Sequence, residues 1–160
     1  MKKLLNSLDF FVRVFFVVIA FSVASSFAEM NSKNDTALKA VDDLQASLSQ
    51  EFSFCDVYYN ESLDRIVIRV AVDGLDDLVG ALIEAGYDET FEGWAEYRSN
   101  IITLYDNLLE CLQAKYRNDL TMSFHLVSDV DKSRDFISIN GGTKSVFDIL
   151  KFQSTIRQKQ

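Results

Sequence analysis

Four residues with side-chain oxygens, Asp129, Asp131, Ser133 and Asp135, alternate along one short stretch of the chain. Oxygens at every second position are how the first part of a calcium-binding loop presents hard ligands to a hard cation. The pattern then departs from that loop. Arg134 stands where a glycine is needed to turn, and Asn140 where a bidentate glutamate would close the shell. Lys132 and Arg134 lie among the aspartates and neutralise them. The stretch therefore reads as a solvated hairpin loop, its four oxygen-bearing residues being the ligands any metal there would take.

Two further acidic runs, Asp73 with Asp76 and Asp77, and Asp88 with Glu89, Glu92 and Glu96, fall where helices are predicted to begin. Carboxylates are favoured at such places by free backbone amides and the helix dipole. A hydrolase built on paired carboxylates would need two of them to converge, one kept protonated by burial. His125 is the only histidine. It falls on the polar side of an alternating strand, with no nucleophile motif beside it to build a triad. One histidine and two cysteines do not complete a zinc site without carboxylates, and no cofactor is expected.

Cys55 is predicted on a strand and Cys111 on the apolar stripe of a helix. A helix packed on a sheet brings such positions within disulfide reach. A bridge closing that loop would add about 4 kcal/mol; two reduced, buried thiols acting as small hydrophobes fit the pattern equally well. Neither has a basic neighbour in sequence to make it a nucleophile. The aromatic residues placed to reach a surface are Phe52, Tyr58, Tyr59, Trp94 and Tyr97. Of these, Tyr58, Tyr59, Trp94 and Tyr97 are the binding candidates, since exposed aromatics mark protein or ligand contacts.

The elements that must position these residues follow from periodicity. Leu38, Val41, Leu44 and Leu48 recur at helical spacing over 36–49, with Asp35 as a cap. Residues 51–59 and 65–72 read as a β-hairpin around a polar loop. A short helix is predicted over 75–85. A long one starts near Thr90 and carries Trp94, Tyr97, Ile101, Leu104, Leu108 and Cys111 on one stripe. Leu120 to Val127 alternates as a third strand, and 136–139 forms a fourth. The Gly141-Gly142 turn precedes a last helix over 144–151, and 153–160 is a tail. The predicted fold is a two-layer α+β sandwich: an antiparallel sheet of about four strands, made of two hairpins, with the long helix on one face.

The start of the chain reads as a secretory signal peptide over 1–28: Lys2, Lys3 and Arg13, an apolar run, then small residues up to a cleavage point between Ala28 and Glu29. The charge-free run from Val14 to Ala28 is shorter than the ~20 residues a spanning helix needs. Residues 29–152 then form a single domain, exported to the periplasm or beyond. The whole chain carries a formal charge of −8. Losing Lys2, Lys3, Arg13 and Asp9 makes the remainder more acidic by two charges. Such a surface disfavours nucleic acid and anionic lipid, which are bound by neutralising phosphate with Lys and Arg.

Val72-Asp73-Gly74-Leu75, the Trp94 helix with 102–109, the Leu126 to Asp131 loop and the Ile139-Asn140-Gly141 to Asp148 stretch together resemble small exported bacterial ββαββ domains of unknown function. The resemblance spans roughly 52–149 and implies a fold, with no activity attached. The residues themselves point to a non-catalytic module that binds another protein or a small ligand through a sheet face or edge. The alternative is a small extracytoplasmic hydrolase using Asp or Glu, with or without a metal.

Overall fold

The computed structural model describes residues 33–159. The predicted signal segment and the Ala28/Glu29 cleavage point lie outside them. The described elements run α1 (Lys33–Leu48), β1 (Phe54–Asn60), β2 (Arg65–Ala71), α2 (Leu75–Glu84), α3 (Glu92–Lys115), β3 (Thr121–Val127), β4 (Asp135–Asn140), β5 (Ser145–Asp148) and α4 (Ile149–Arg157). Among the described residues the fold is α+β: one open five-stranded sheet in the order β1-β2-β3-β4-β5, with four α-helices.

The sheet is mixed rather than antiparallel. β1–β2, β3–β4 and β4–β5 are antiparallel, but β2 and β3 run parallel at its centre, Ile66 opposite Met122 and Val70 opposite Leu126. The two predicted hairpins exist, and what joins them is residues 72–120, which hold α2 and α3. Parallel neighbours need a crossover of this kind, a dozen residues or more and usually helical. The first hairpin turns because Asn60 Oδ1 accepts from the Leu63 amide at 3.2 Å and Asp64 takes a left-handed conformation, φ 46°.

A fifth strand and a displaced helix replace the predicted helix over 144–151. Asp148 is the reason. Its carboxylate accepts from the Leu150 amide at 2.9 Å and the Lys151 amide at 3.4 Å, so the helix starts after it. The preceding residues are free to pair with β4, and α4 occupies most of the predicted tail. In α1 the buried stripe is Ala37, Ala40, Leu44 and Leu48, while Leu38 is half exposed and Asp35 sits within the first turn. The small alanines, not the larger Leu38, face the core and let the helix come close.

On the sheet's core face Ile66, Ile68, Val70, Met122, Phe124 and Leu126 are fully buried. All four helices contribute to the same apolar cluster, which α3 enters with Trp94, Tyr97, Ile101, Leu104, Tyr105, Leu108 and Leu112. Tyr105 Oη donates to the Met122 carbonyl at 3.1 Å and ties α3 to the central strand. Alternation along the strands then fixes what the other face must carry.

Candidate functional site

The face of the sheet away from the helices is crossed by one row of register partners: Asp56, Arg69, His125, Ser138 and Phe147. The next row holds Tyr58, Val67 and Ser123, and beyond the end of the β3–β4 pairing Asn140 stands opposite Ser145. Neighbours in such rows interact directly. Asp56 lies 4.0 Å from Arg69, whose Nη2 also donates to the Lys132 carbonyl of the β3–β4 loop. His125 Nδ1 pairs with Asp135 Oδ2 at 2.8 Å. Arg65 Nη1 reaches Asn140 Oδ1 at 2.9 Å and Ser123 Oγ at 3.3 Å. Tyr58 stands clear, 42% exposed.

Arg65, Arg69 and Asp56 join the candidate site, and the strand pattern carries a signal for the two arginines. Arginines at alternate positions of a Val/Ile strand must point away from the face that buries the Val and Ile.

Two of the four aromatic candidates are corrected. Trp94 and Tyr97 are core residues, 2% and 8% exposed and stacked at 5.8 Å. They belong to the apolar stripe of α3, and burial on that stripe takes precedence over any surface role. Trp94 Nε1 donates to both oxygens of the buried Asp148 at 3.0 and 3.1 Å, and Arg98 adds an ion pair at 2.8 Å. Phe52, at 6% exposure, is likewise core. Tyr59 faces the helix side, and its hydroxyl donates to Asp64 Oδ1 at 2.6 Å, beside Arg117. That bond pushes the Tyr59 hydroxyl up and helps hold the Asp64 carboxyl down. Only Tyr58 remains a surface aromatic of the binding set.

The acidic loop is used structurally. Gly74, at the start of α2, has φ 77° and no side chain to cap the helix. The cap comes from Asp129, whose Oδ2 accepts from the Gly74 amide at 2.7 Å and Oδ1 from the Asp76 amide at 2.9 Å. Asp76 reciprocates, accepting from the Ser128 hydroxyl and, at 3.2 Å, from the Val130 amide. Two loops far apart in sequence thus cap each other. Asp131 meanwhile accepts from the Ser133 amide and hydroxyl at 3.0 and 2.7 Å, and Asp135 is held by His125. Asp129 and Asp135 therefore turn to separate partners, while Asp131 and Ser133 bond each other. Among the described residues no cluster of metal-ligating side chains forms.

Two of the loop carboxylates, Asp129 and Asp131, are also set against a general-acid role. Burial raises the Asp129 carboxyl, but the amides of Asp76 and Gly74 outweigh it and hold the group below its ordinary value. Hydrogen bonds from Ser133 do the same for Asp131. A carboxylic acid that protonates a leaving group needs the opposite shift. His125 has an orienting carboxylate, but no hydroxyl hydrogen-bonds to its other nitrogen among the described residues.

Cys55 and Cys111 are both free and half-buried, packed against the core without a bridge. Burial pushes the Cys55 thiol up to about 11, with Asp56 adding to the shift, and raises Cys111 as well. Both are poor nucleophiles at neutral pH.

No helix among the described residues is long and apolar enough to cross a membrane. Compared with known proteins, the chain matches no family model, no curated protein and no solved structure.

Proposed function

We propose that the chain is an exported, non-catalytic binding domain that holds another protein or a small ligand on the helix-free face of its sheet. The observation that carries this reading is that the exposed Tyr58 stands diagonal to Arg69 on the same face, with His125 opposite Arg69 on the next strand. On an acidic chain this is a local concentration of donors and an aromatic plane, the residue types that dominate binding energy in protein contacts. Rigid strands, rather than loops, hold them. The hydrolase alternative draws no support from the loop carboxylates, whose hydrogen bonds are spent on helix capping and turn formation.

Capture from the host's extracytoplasmic fraction tests the reading. Tyr58→Ala and His125→Ala should each lose a species that the unaltered protein retains, while the exposed Tyr58→Ala moves thermal melting by no more than about 4 °C and His125→Ala, which gives up its bond to Asp135, still melts cooperatively. Retention of the same species by both variants would remove this face from consideration.

A further inference from the structure

The two outer edges of the sheet are treated differently. β1 is closed by a side chain: Gln45 of α1 accepts from the Val57 amide at 2.8 Å and donates to the Cys55 carbonyl at 3.0 Å. Its carboxamide thereby mimics one peptide unit of a neighbouring strand. Unpaired edges are templates for another chain, and covering them is how a fold refuses such pairing. β5, at the opposite edge, pairs with β4 on one side and with no strand on the other among the described residues.

That edge is also apolar and exposed. Val146 is 39% and Phe147 37% exposed, and α4 adds Phe152 at 50% and Ile156 at 38%. Phe147 and Phe152 lie with ring centroids 6.0 Å apart and join strand and helix in one patch, while Val146 points to the other face of the sheet. α4 turns Ile149 and Leu150 inward, and Phe152 and Ile156, four apart, line a second face that stays partly exposed.

Charge narrows what fits there. From residue 144 onward the chain has four basic residues, Lys144, Lys151, Arg157 and Lys159, all exposed, against one acidic residue, the buried Asp148. The rest of the protein is strongly acidic. A second copy paired edge to edge through β5 would bring two basic ends together, and an anionic bilayer would meet the repulsion of the remaining chain. An acidic, extended segment meets neither obstacle.

We propose that the β5 edge and the outer face of α4 receive an extended acidic segment of another protein, laid beside β5 as a sixth strand. Main-chain hydrogen bonds supply the attachment and alternate side chains the selection, as in strand addition to an open edge. Apolar residues of the segment rest on Phe147 and Phe152, while its carboxylates face Lys144 and Lys151. Phe147 ends the row that crosses the helix-free face, so this contact adjoins the Tyr58 face, but it uses neither Tyr58 nor Arg69 nor His125 and stands without them.

The test uses nitrogen-15-labelled protein secreted by an expression host and a synthetic peptide alternating valine and glutamate. Saturable amide shifts at 145–148 and along α4 are expected, weakened roughly tenfold or more by the exposed double substitution K144E/K151E and by raised salt. A peptide alternating valine and lysine should produce none. Equal shifts with the lysine peptide, or no shifts with the glutamate peptide, would overturn the proposal. So would sedimentation with phosphatidylglycerol vesicles lost in K144E/K151E, which would assign the patch to lipid. A doubled mass by light scattering, abolished by F147S, would assign it to a second copy.

Discussion

Replacing Asp129 with alanine isolates the cross-loop capping of α2. The substitution leaves the amides of Gly74 and Asp76 without their acceptor, and Gly74 has no side chain to substitute for it. Loss of an N-cap costs about 0.5–2 kcal/mol, and loss of negative charge at a helix start adds roughly 0.3–1 kcal/mol. Asp129 is partly exposed, so water recovers some of this, and about 2 kcal/mol is expected. With a urea slope of roughly 1.5 kcal/mol/M the midpoint falls by about 1.3 M at unchanged slope. Asp129→Asn keeps one acceptor oxygen and should lose about half as much. The sign with pH follows from the depressed carboxyl. The stabilisation is complete above the unfolded carboxylate range and disappears as pH falls through the lower, folded value. The gap between the unaltered protein and Asp129→Ala should therefore close in acid. A loss below about 0.3 kcal/mol, comparable with an ordinary surface change, or a gap that stays constant between about pH 7 and 3, would refute the capping argument.

Three further outcomes are expected. Gln45→Ala should cost about 1–2 kcal/mol by leaving the Val57 amide and Cys55 carbonyl unpaired, and it should introduce concentration-dependent association visible by light scattering. Gly141→Ala should be far more damaging, about 3 kcal/mol or more, because a Cβ there would overlap the Met122 carbonyl; a soluble variant with unchanged melting would contradict this close backbone approach. At pH 8 a thiol with its pKa near 11 is about one part in a thousand thiolate. Iodoacetamide should therefore label Cys55 at least tenfold faster in urea than in the native protein, and reductant should leave native stability unchanged; a fall in midpoint with reductant would mean that a bridge exists.

The buried stripe of α3 and the hairpin of β1 with β2 were legible because each repeats one period over many residues: Trp94, Tyr97, Ile101, Leu104 and Leu108 at helical spacing, and Ile66, Ile68 and Val70 at every second position. Strand order was not, because periodicity states which side of a strand is buried and is silent on its neighbours. β5 was misread since Val146, Phe147, Ile149 and Leu150 fit a helix as well as a strand, and the decision rests on one carboxylate, Asp148, bonding forward. Tyr58 was legible as a surface aromatic. The cap by Asp129 was not, because its partners lie 53 and 55 residues away. Helix-start chemistry accounted for the acidic run near Asp76, and only tertiary structure reveals that a distant loop supplies the capping side chain.

The parallel pairing of β2 with β3 bears on when the protein becomes itself. The β1–β2 and β3–β4 pairings are local, each joining strands separated by a short loop. The seam between these halves waits for residues 72–120 to be made and folded, and closing so long a connection is slow because its entropy is lost before the contacts form. For a chain that leaves the cytoplasm as proposed, this delay keeps the nascent polypeptide threadable. The central seam, which makes the finished sheet continuous, would then also act as a timer that postpones folding until after passage.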